Sequence, residues 1–312
     1  MSDGMRERTI WLLVVVLILT GTASGCGPSI AQGDNPLKKS SPTATATSFP
    51  PTATSLPPTP TPSPLPTATP TEEVKPMYRI IIVYDNYPYK SGLGTAWGFS
   101  AYITFQEENI LFDSGGSGSL LLSNLAALKI KPDEIQNVVL SHEHNDHTGG
   151  LQSLLNAGAD PKLYIPPHFS TGFKNLFRNQ TQLIEVDQGT GIIEGVYSLG
   201  EMSGPPPEQG LVIDTPQGLM VITGCAHPGV DRMVLEAKRQ YQKEIYLVLG
   251  GFHLGSASDS RINQIIKVFQ EAGVKYVAPC HCTGDRAIGM FRNAFGEDFI
   301  RVGVGAVISV ES

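Results

Sequence analysis

Cysteine is scarce, with four in 312 residues. Cys26 stands apart near the start, and the other three are Cys225, Cys280 and Cys282. An odd number excludes a fully paired disulfide framework, and a CxC pair closes too small a ring for an ordinary structural bridge. One pairing or a free thiol remains open. Long apolar runs are missing too. The longest unbroken stretch, IWLLVVVLIL from Ile10 to Leu19, falls short of the roughly 20 residues that span a bilayer. Basic clusters are also absent. With a net charge of -7 and a pI near 5.5, the composition argues against nucleic acid as a partner.

The short apolar run follows Arg6 and Arg8 and leads through small residues to Cys26 in TASGCG. That is the pattern of an export signal, and a Cys directly after small residues is where bacterial lipoproteins are lipidated. Ala23 stands where the usual Leu would be. An uncleaved anchor or simple secretion are the other two readings, since no charge interrupts Thr9 to Gly33. All three put the rest of the chain outside the cytoplasm. The expectation is a signal and lipid anchor over residues 1–26, with Cys26 on the membrane. Residues 27–76 then form a stalk: positions 36 to 76 hold 12 of the 24 prolines among Thr, Ser and Ala. Such a composition keeps a chain extended and buries too little to fold.

Residues 77–312 read as one folded domain. YRIIIVY, GFSAYITF and NILFDSGG are strand-like, and SLLLSNLAALKI has helical spacing. NVVLSHEH reads as a strand, followed by a helix (GGLQSLLNAG), a strand (KLYIP) and a less regular stretch through residue 200. GLVIDT and GLMVITGC are strands, after which helix and strand alternate through VDRMVLEAKRQYQ, EIYLVLGG, DSRINQIIKVFQEAG and KYVAPCHC. DFIRVGVGAVISV reads as a closing strand pair. Strands first and α/β units later predict an α+β fold, a four-layer αββα sandwich, rather than a doubly wound sheet.

All seven histidines fall between positions 142 and 281. In SHEHNDHTGG, His142, His144, Asp146 and His147 crowd one loop at a strand end, where a rigid scaffold presents chemistry. Alternate positions put His142 and His144 on one side of an extended segment, while the following turn aims Asp146 and His147 at a second point. Imidazole nitrogen and carboxylate oxygen suit Zn²⁺ or Fe, and the spacing serves two adjacent ions better than one.

HxHxDHxGG resembles the signature of the metallo-β-lactamase superfamily. LFDSGG (111–116) is similar to that family's first motif. VYDN (83–86), GFS (98–100), TGCAHPG (223–229), LGGFHL (249–254) and PCHCTG (279–284) together resemble the subgroup of dihydropterin-ribofuranosylaminobenzene-phosphate synthase-like proteins. The resemblance spans about residues 78 to 310. It implies that His142, His144 and His227 hold a first divalent metal ion and that Asp146, His147 and His281 hold a second. Zinc comes first as the metal, with Mn or Fe as alternatives. Asp113 would orient a metal-binding histidine from behind. The family's bridging carboxylate is missing, since GlyCysAlaHis (224–227) stands there, so either Cys225 or solvent alone would bridge. His253 would be a ligand, a proton donor or a structural residue. Asn86 and His168 are candidates for substrate contact, His168 equally for a solvated loop. On a continuing strand, Cys280 and Cys282 would share a face opposite His281, as structural residues.

Two metals roughly 3.5 Å apart lower the pKa of a shared water and polarise an ester or phosphoryl oxygen. Asp146 would orient the attacking hydroxide. The implied activity is hydrolysis of a small phosphorylated, ester or lactone substrate. The subgroup's name suggests instead a synthase that releases pyrophosphate, whose intermediates belong in the cytosol. A non-enzymatic exported lipoprotein that binds metal or a solute is the other class. An open coordination position would separate it from the enzyme.

Overall fold

A computed structural model describes residues 78–105 and 108–310. They lie within one compact unit, Thr69–Ser312. The export signal, Cys26 and the stalk lie outside the described residues. Among the described residues no helix is long and apolar enough to cross a membrane.

Two sheets form the centre. The first has β1 (Tyr78–Tyr84), β2 (Ser100–Phe105), β3 (Glu108–Phe112), β4 (Asn137–Val139), β5 (Lys162–Ile165) and β6 (Gln182–Glu185), with β13 (Val307–Val310) on its edge, in the order β13-β1-β2-β3-β4-β5-β6. Its β13 to β3 part is antiparallel, and β3 to β6 run parallel. The second holds β7 (Thr190–Ile193), β8 (Val196–Ser198), β9 (Leu211–Thr215), β10 (Gly218–Thr223), β11 (Ile245–Gly251) and β12 (Tyr276–Cys280), in the order β12-β11-β10-β9-β8-β7. Here β12, β11 and β10 are parallel and the rest antiparallel.

The apolar pattern explains the layering. Along β1, Ile80 and Ile82 join Phe99, Ile103, Ile213, Met220 and Leu249 between the sheets. Ile81 and Val83 point the other way, under α1 (Gly118–Ala127), α3 (Leu151–Asn156) and α4 (Thr171–Phe177), with the single turn α2 (Asn145–Thr148) preceding α3. A strand covered on both faces reads as an unbroken apolar run rather than an alternating one. On the far side α5 (Val230–Tyr241), α6 (Asp259–Glu271) and α7 (Asp285–Phe295) cover the second sheet. The α6 helix is capped by Ser258, whose side chain accepts from the Arg261 N–H. It buries Ile262, Ile265, Ile266 and Phe269, one apolar stripe at helical spacing. The expected αββα sandwich is the fold.

Three sequence expectations change. The stretch before residue 200 holds α4, β6, β7 and β8, all short and partly exposed, which left a weak periodic signal. Helix α7 was not expected; it buries only Ala287 and Phe291, too sparse a stripe to stand out. The closing strand pair is one strand, β13. Before it, Val304 bridges Pro88, Phe299 bridges Val277, and Gly305 at φ 88° turns the chain away from the extended path.

Candidate metal centre

The histidine loop leaves β4 and is braced by Asp113 at the end of β3. Asp113 is fully buried and accepts the Ser141 N–H (2.7 Å) on Oδ1. Its Oδ2 accepts the Ser141 hydroxyl (2.8 Å) and His147 Nδ1 (2.7 Å). Because the Ser141 hydroxyl proton is used on Asp113, its oxygen accepts from His142 Nδ1 at 2.9 Å. His281 Nδ1 likewise meets Asn86 Oδ1 at 3.0 Å. Each of these three rings is thus held at Nδ1, which turns its Nε2 edge inward. That is how protein acceptors prepare an imidazole to bind a cation. A Cβ on Gly224 would collide with Ser141 Oγ and Asp113, so the brace requires glycine there.

The second sheet supplies the opposing wall from the carboxyl ends of β10, β11 and β12. Ala226 (φ 59°), His253 (φ 52°) and His281 (φ 49°) are non-glycine residues in the left-handed region, and so is Asp113 (φ 57°). Backbone held this way costs of order 1–3 kcal/mol per residue and gathers where function over-determines it.

Two donor groups result. Ligand atoms of His142, His144 and His227 lie within 4.8 Å of one another, and so do those of Asp146, His147, Cys225 and His281. Ring centroids of His142 and His147 are 4.3 Å apart, which joins the groups into one cluster. His142, His147 and His281 are buried, while His144 is exposed and Asp146 and His227 partly so, giving the cluster one open side. His147 Nε2 stands 3.2 Å from Cys225 Sγ, and His281 Nε2 stands 3.3 Å from Asp146 Oδ2. A third group joins Cys225, His253 and Cys282.

Electrostatics separate these residues. Burial, reinforced by neighbouring imidazoles, drives His142 far below the usual histidine range. Burial pulls on His147 too, but Asp113, Asp146 and Glu208 outweigh it and hold it near about 9. Burial would raise Asp146, yet the nearby His281 and His147 imidazoles bring it well below the usual carboxylate range. Burial, then His253, lowers His227 to about 4. Cys225 is pushed up by its bond with Cys282 and by burial. Cys282 is buried yet drawn down by Cys225 and His253.

These residues fit divalent metal. His227 Nε2 and His281 Nε2 are buried without a hydrogen-bond partner, and orphaned buried nitrogens of this kind carry a cost that a cation removes. Nitrogen, carboxylate and one thiol form a donor set suited to zinc-like ions.

Other expected roles shift. Asn86 sits behind His281, bonded to its ring and, at 3.5 Å, to its carbonyl, so it positions that ring and does not face a substrate. His168 is exposed, and among the described residues no hydrogen bond, ion pair or ring contact ties its imidazole to the cluster. Its N–H donates to Glu201. Cys280 faces the core between the sheets, as expected of a structural residue. Cys282 does not share that face. The strand ends at Cys280, and the turn at His281 swings Cys282 round to Cys225 and His253. His253 stands 4.3 Å from the His227 ring.

Sequence reasoning missed Glu208. It is fully buried and accepts the N–H groups of Cys225 (2.9 Å), Ala226 (2.8 Å) and His227 (2.8 Å), holding the strap that carries two donors. Burial pushes it up to about 7. Its one sequence signal is an acid inside the apolar, proline-rich GPPPEQG.

Comparison with known proteins agrees with this geometry. The profile of the metallo-beta-lactamase superfamily matches residues 98–241. The chain is 29% identical over 269 residues to 7,8-dihydropterin-6-methyl-4-(beta-D-ribofuranosyl)-aminobenzene-5'-phosphate synthase of Methanocaldococcus jannaschii, covering 72% of this chain and 92% of that one. Among solved structures, Tm1679, a metal-dependent hydrolase of the beta-lactamase superfamily, superposes with a TM-score of 0.65 at 29% identity, over 75% of this chain and 100% of that one. YhfI of Bacillus subtilis, a metallo-beta-lactamase fold protein, shares the fold at a TM-score of 0.58 and 16% identity, over 76% of this chain and 100% of that one. By fold, motif and profile together, the chain is similar to the metallo-β-lactamase superfamily, whose profile matches residues 98–241 and whose fold it shares.

Proposed function

We propose that this chain is a metal-dependent hydrolase acting on a small phosphorylated, ester or lactone substrate. The observation that carries the reading is the pair of donor groups that meet at one partly open cluster. His142, His144 and His227 would hold one divalent ion and Asp146, His147 and His281 the other, with the Cys225 thiol beside the second. When bound, such a pair lowers the pKa of a water and polarises the oxygen under attack.

The chain's own groups do the rest. The partly exposed Asp146 carboxylate stays ionised and would accept a hydrogen bond from the attacking water, which aims the water's lone pair at the substrate. Asp113, Ser141 and Asn86 hold three imidazoles in register, so no reorganisation is needed at the moment of reaction. His253 is exposed beside His227, and Cys282 raises its pKa, so it is placed to return a proton to the leaving group.

A second reading has its own support. The relative from Methanocaldococcus jannaschii is called a synthase, so the same donors could serve bond formation with loss of a phosphorylated group. An exported protein would not meet cytosolic intermediates, which favours hydrolysis. The extracytoplasmic, Cys26-anchored location rests on residues 6–26 alone.

The test is elemental analysis of the full chain beside His142→Ala, followed by a screen of phosphoesters and lactones. Nearly two ions per chain, lost in part in the variant, with turnover of one substrate class, supports the hydrolase. Two ions without turnover of either class points to a metal- or solute-binding protein. No bound ion, even after adding Zn²⁺, Mn²⁺ or Fe²⁺, sinks the reading.

A further inference from the structure

Among the described residues the Phe, Tyr and Trp side chains are buried or half-buried, except Tyr89 at 42% exposure and Trp97 at 58%. Both lie in the connection between β1 and β2. Trp97 stands beside the metal centre, its ring 4.8 Å from that of His281 and tilted by 54°.

The backbone that carries this ring is pinned on both sides. The Ala96 N–H donates to Asp85 O, and the Phe99 N–H donates to Asp146 O, each at 3.2 Å. Gly98, at φ 139°, leaves no room for a Cβ between Asp146 O, Gly116 N and the Tyr84 ring. The connection is thus docked on the same loop that presents Asp146 and His147. A tryptophan so anchored, yet left more than half in water, exposes apolar surface that folding normally buries. Its ring lies against His281, one of the donors of the metal centre.

We propose that Trp97 is a stacking platform for a planar unsaturated ring of the substrate, binding beside the group that is attacked. The inference rests on the metal-centre reading above and adds the substrate's chemical class: an aryl or heteroaryl compound carrying an anionic or ester group. Ring-on-ring stacking at a partly dry edge strengthens binding by about tenfold.

The chain has two tryptophans, Trp11 and Trp97, so a full-length Trp11→Phe protein makes Trp97 the only indole emitter. Metal-loaded protein would be titrated with phenylphosphonate and methylphosphonate, which share a headgroup and differ in the ring. The proposal expects phenylphosphonate to quench Trp97 emission and to bind about tenfold tighter than methylphosphonate. By calorimetry, Trp97→Ala should erase that preference while methylphosphonate affinity and metal content stay unchanged, and Trp97→Phe should restore most of it. Equal binding of the two phosphonates overturns the stacking role and leaves the metal-centre reading standing. Loss of metal in both Trp97 variants assigns the ring to packing over His281 and also overturns it. Failure of both phosphonates to bind a protein that holds two ions overturns this proposal and the anionic substrate class together.

Discussion

The two walls of the metal centre are built in opposite ways. The first-sheet wall is a contiguous loop: His142, His144, Asp146 and His147 follow β4, with Asp113 behind them. The second-sheet wall is scattered. Cys225 and His227 follow β10, His253 follows β11 and His281 follows β12, each strand end carrying a non-glycine residue at positive φ. Both walls use the carboxyl ends of parallel strands, where open α/β sheets present ligands. The difference lies in how each is held. One carboxylate, Asp113, braces the first wall through the Ser141 N–H and hydroxyl and the His147 ring. The second depends on Glu208 and its backbone N–H bonds, on Asn86, and on strained turns.

Breaking the first brace should have the largest effect. Asp113→Ala leaves His147 Nδ1 and the Ser141 N–H buried and unpaired, so affinity for the second metal should fall about 10–100-fold. Competition against a chelator reads this directly, and unchanged affinity would deny Asp113 its bracing role.

Glu208→Ala attacks the second wall. It strands three backbone N–H groups, and an unpaired buried donor costs about 1–3 kcal/mol. A clear fall in Tm of metal-free protein is expected. Glu208 also predicts a pH signature. Its folded pKa of about 7 lies above the ordinary carboxylate value, so its contribution is fully present below about pH 4 and is lost as pH rises towards 7. In metal-free Glu208→Gln that part of the decline should vanish; an identical Tm profile to the native chain would refute it.

Asn86→Ala removes one acceptor from His281. Second-metal affinity should weaken by about tenfold, at the mild end of such positioning effects, with little change at the first metal. Equal weakening at both metals would mean that the walls do not act separately.

His168→Ala should change turnover by less than twofold, because its ring touches no member of the cluster. A loss beyond tenfold with an unchanged metal content would return His168 to the substrate site.

How much could be read in advance follows the same division. The first wall was legible because its donors are neighbours in sequence, at a spacing that forces two points of convergence. Asp113 was found only through the LFDSGG resemblance. On the second wall the candidates His227, His253 and His281 were visible, but their directions were not. Extending β12 through Cys282 by simple alternation gave the wrong face, since the positive φ at His281 ends the strand. Glu208 was hidden because a lone acid in a loop normally signals solvent, and its three partners are backbone groups without a sequence code.

By itself the sequence determined the layers and the first wall. Apolar periodicity and local spacing are properties of neighbouring residues, so β1, β10, α6 and the histidine loop carry their own instructions. Only the tertiary structure decided which ring nitrogen faces inward, that Cys282 meets Cys225, that Glu208 straps residues 225–227, and that Trp97 stays in water beside His281. Those outcomes depend on chain segments far apart in sequence that packing of the two sheets brings within hydrogen-bond reach, where burial sets the pairing.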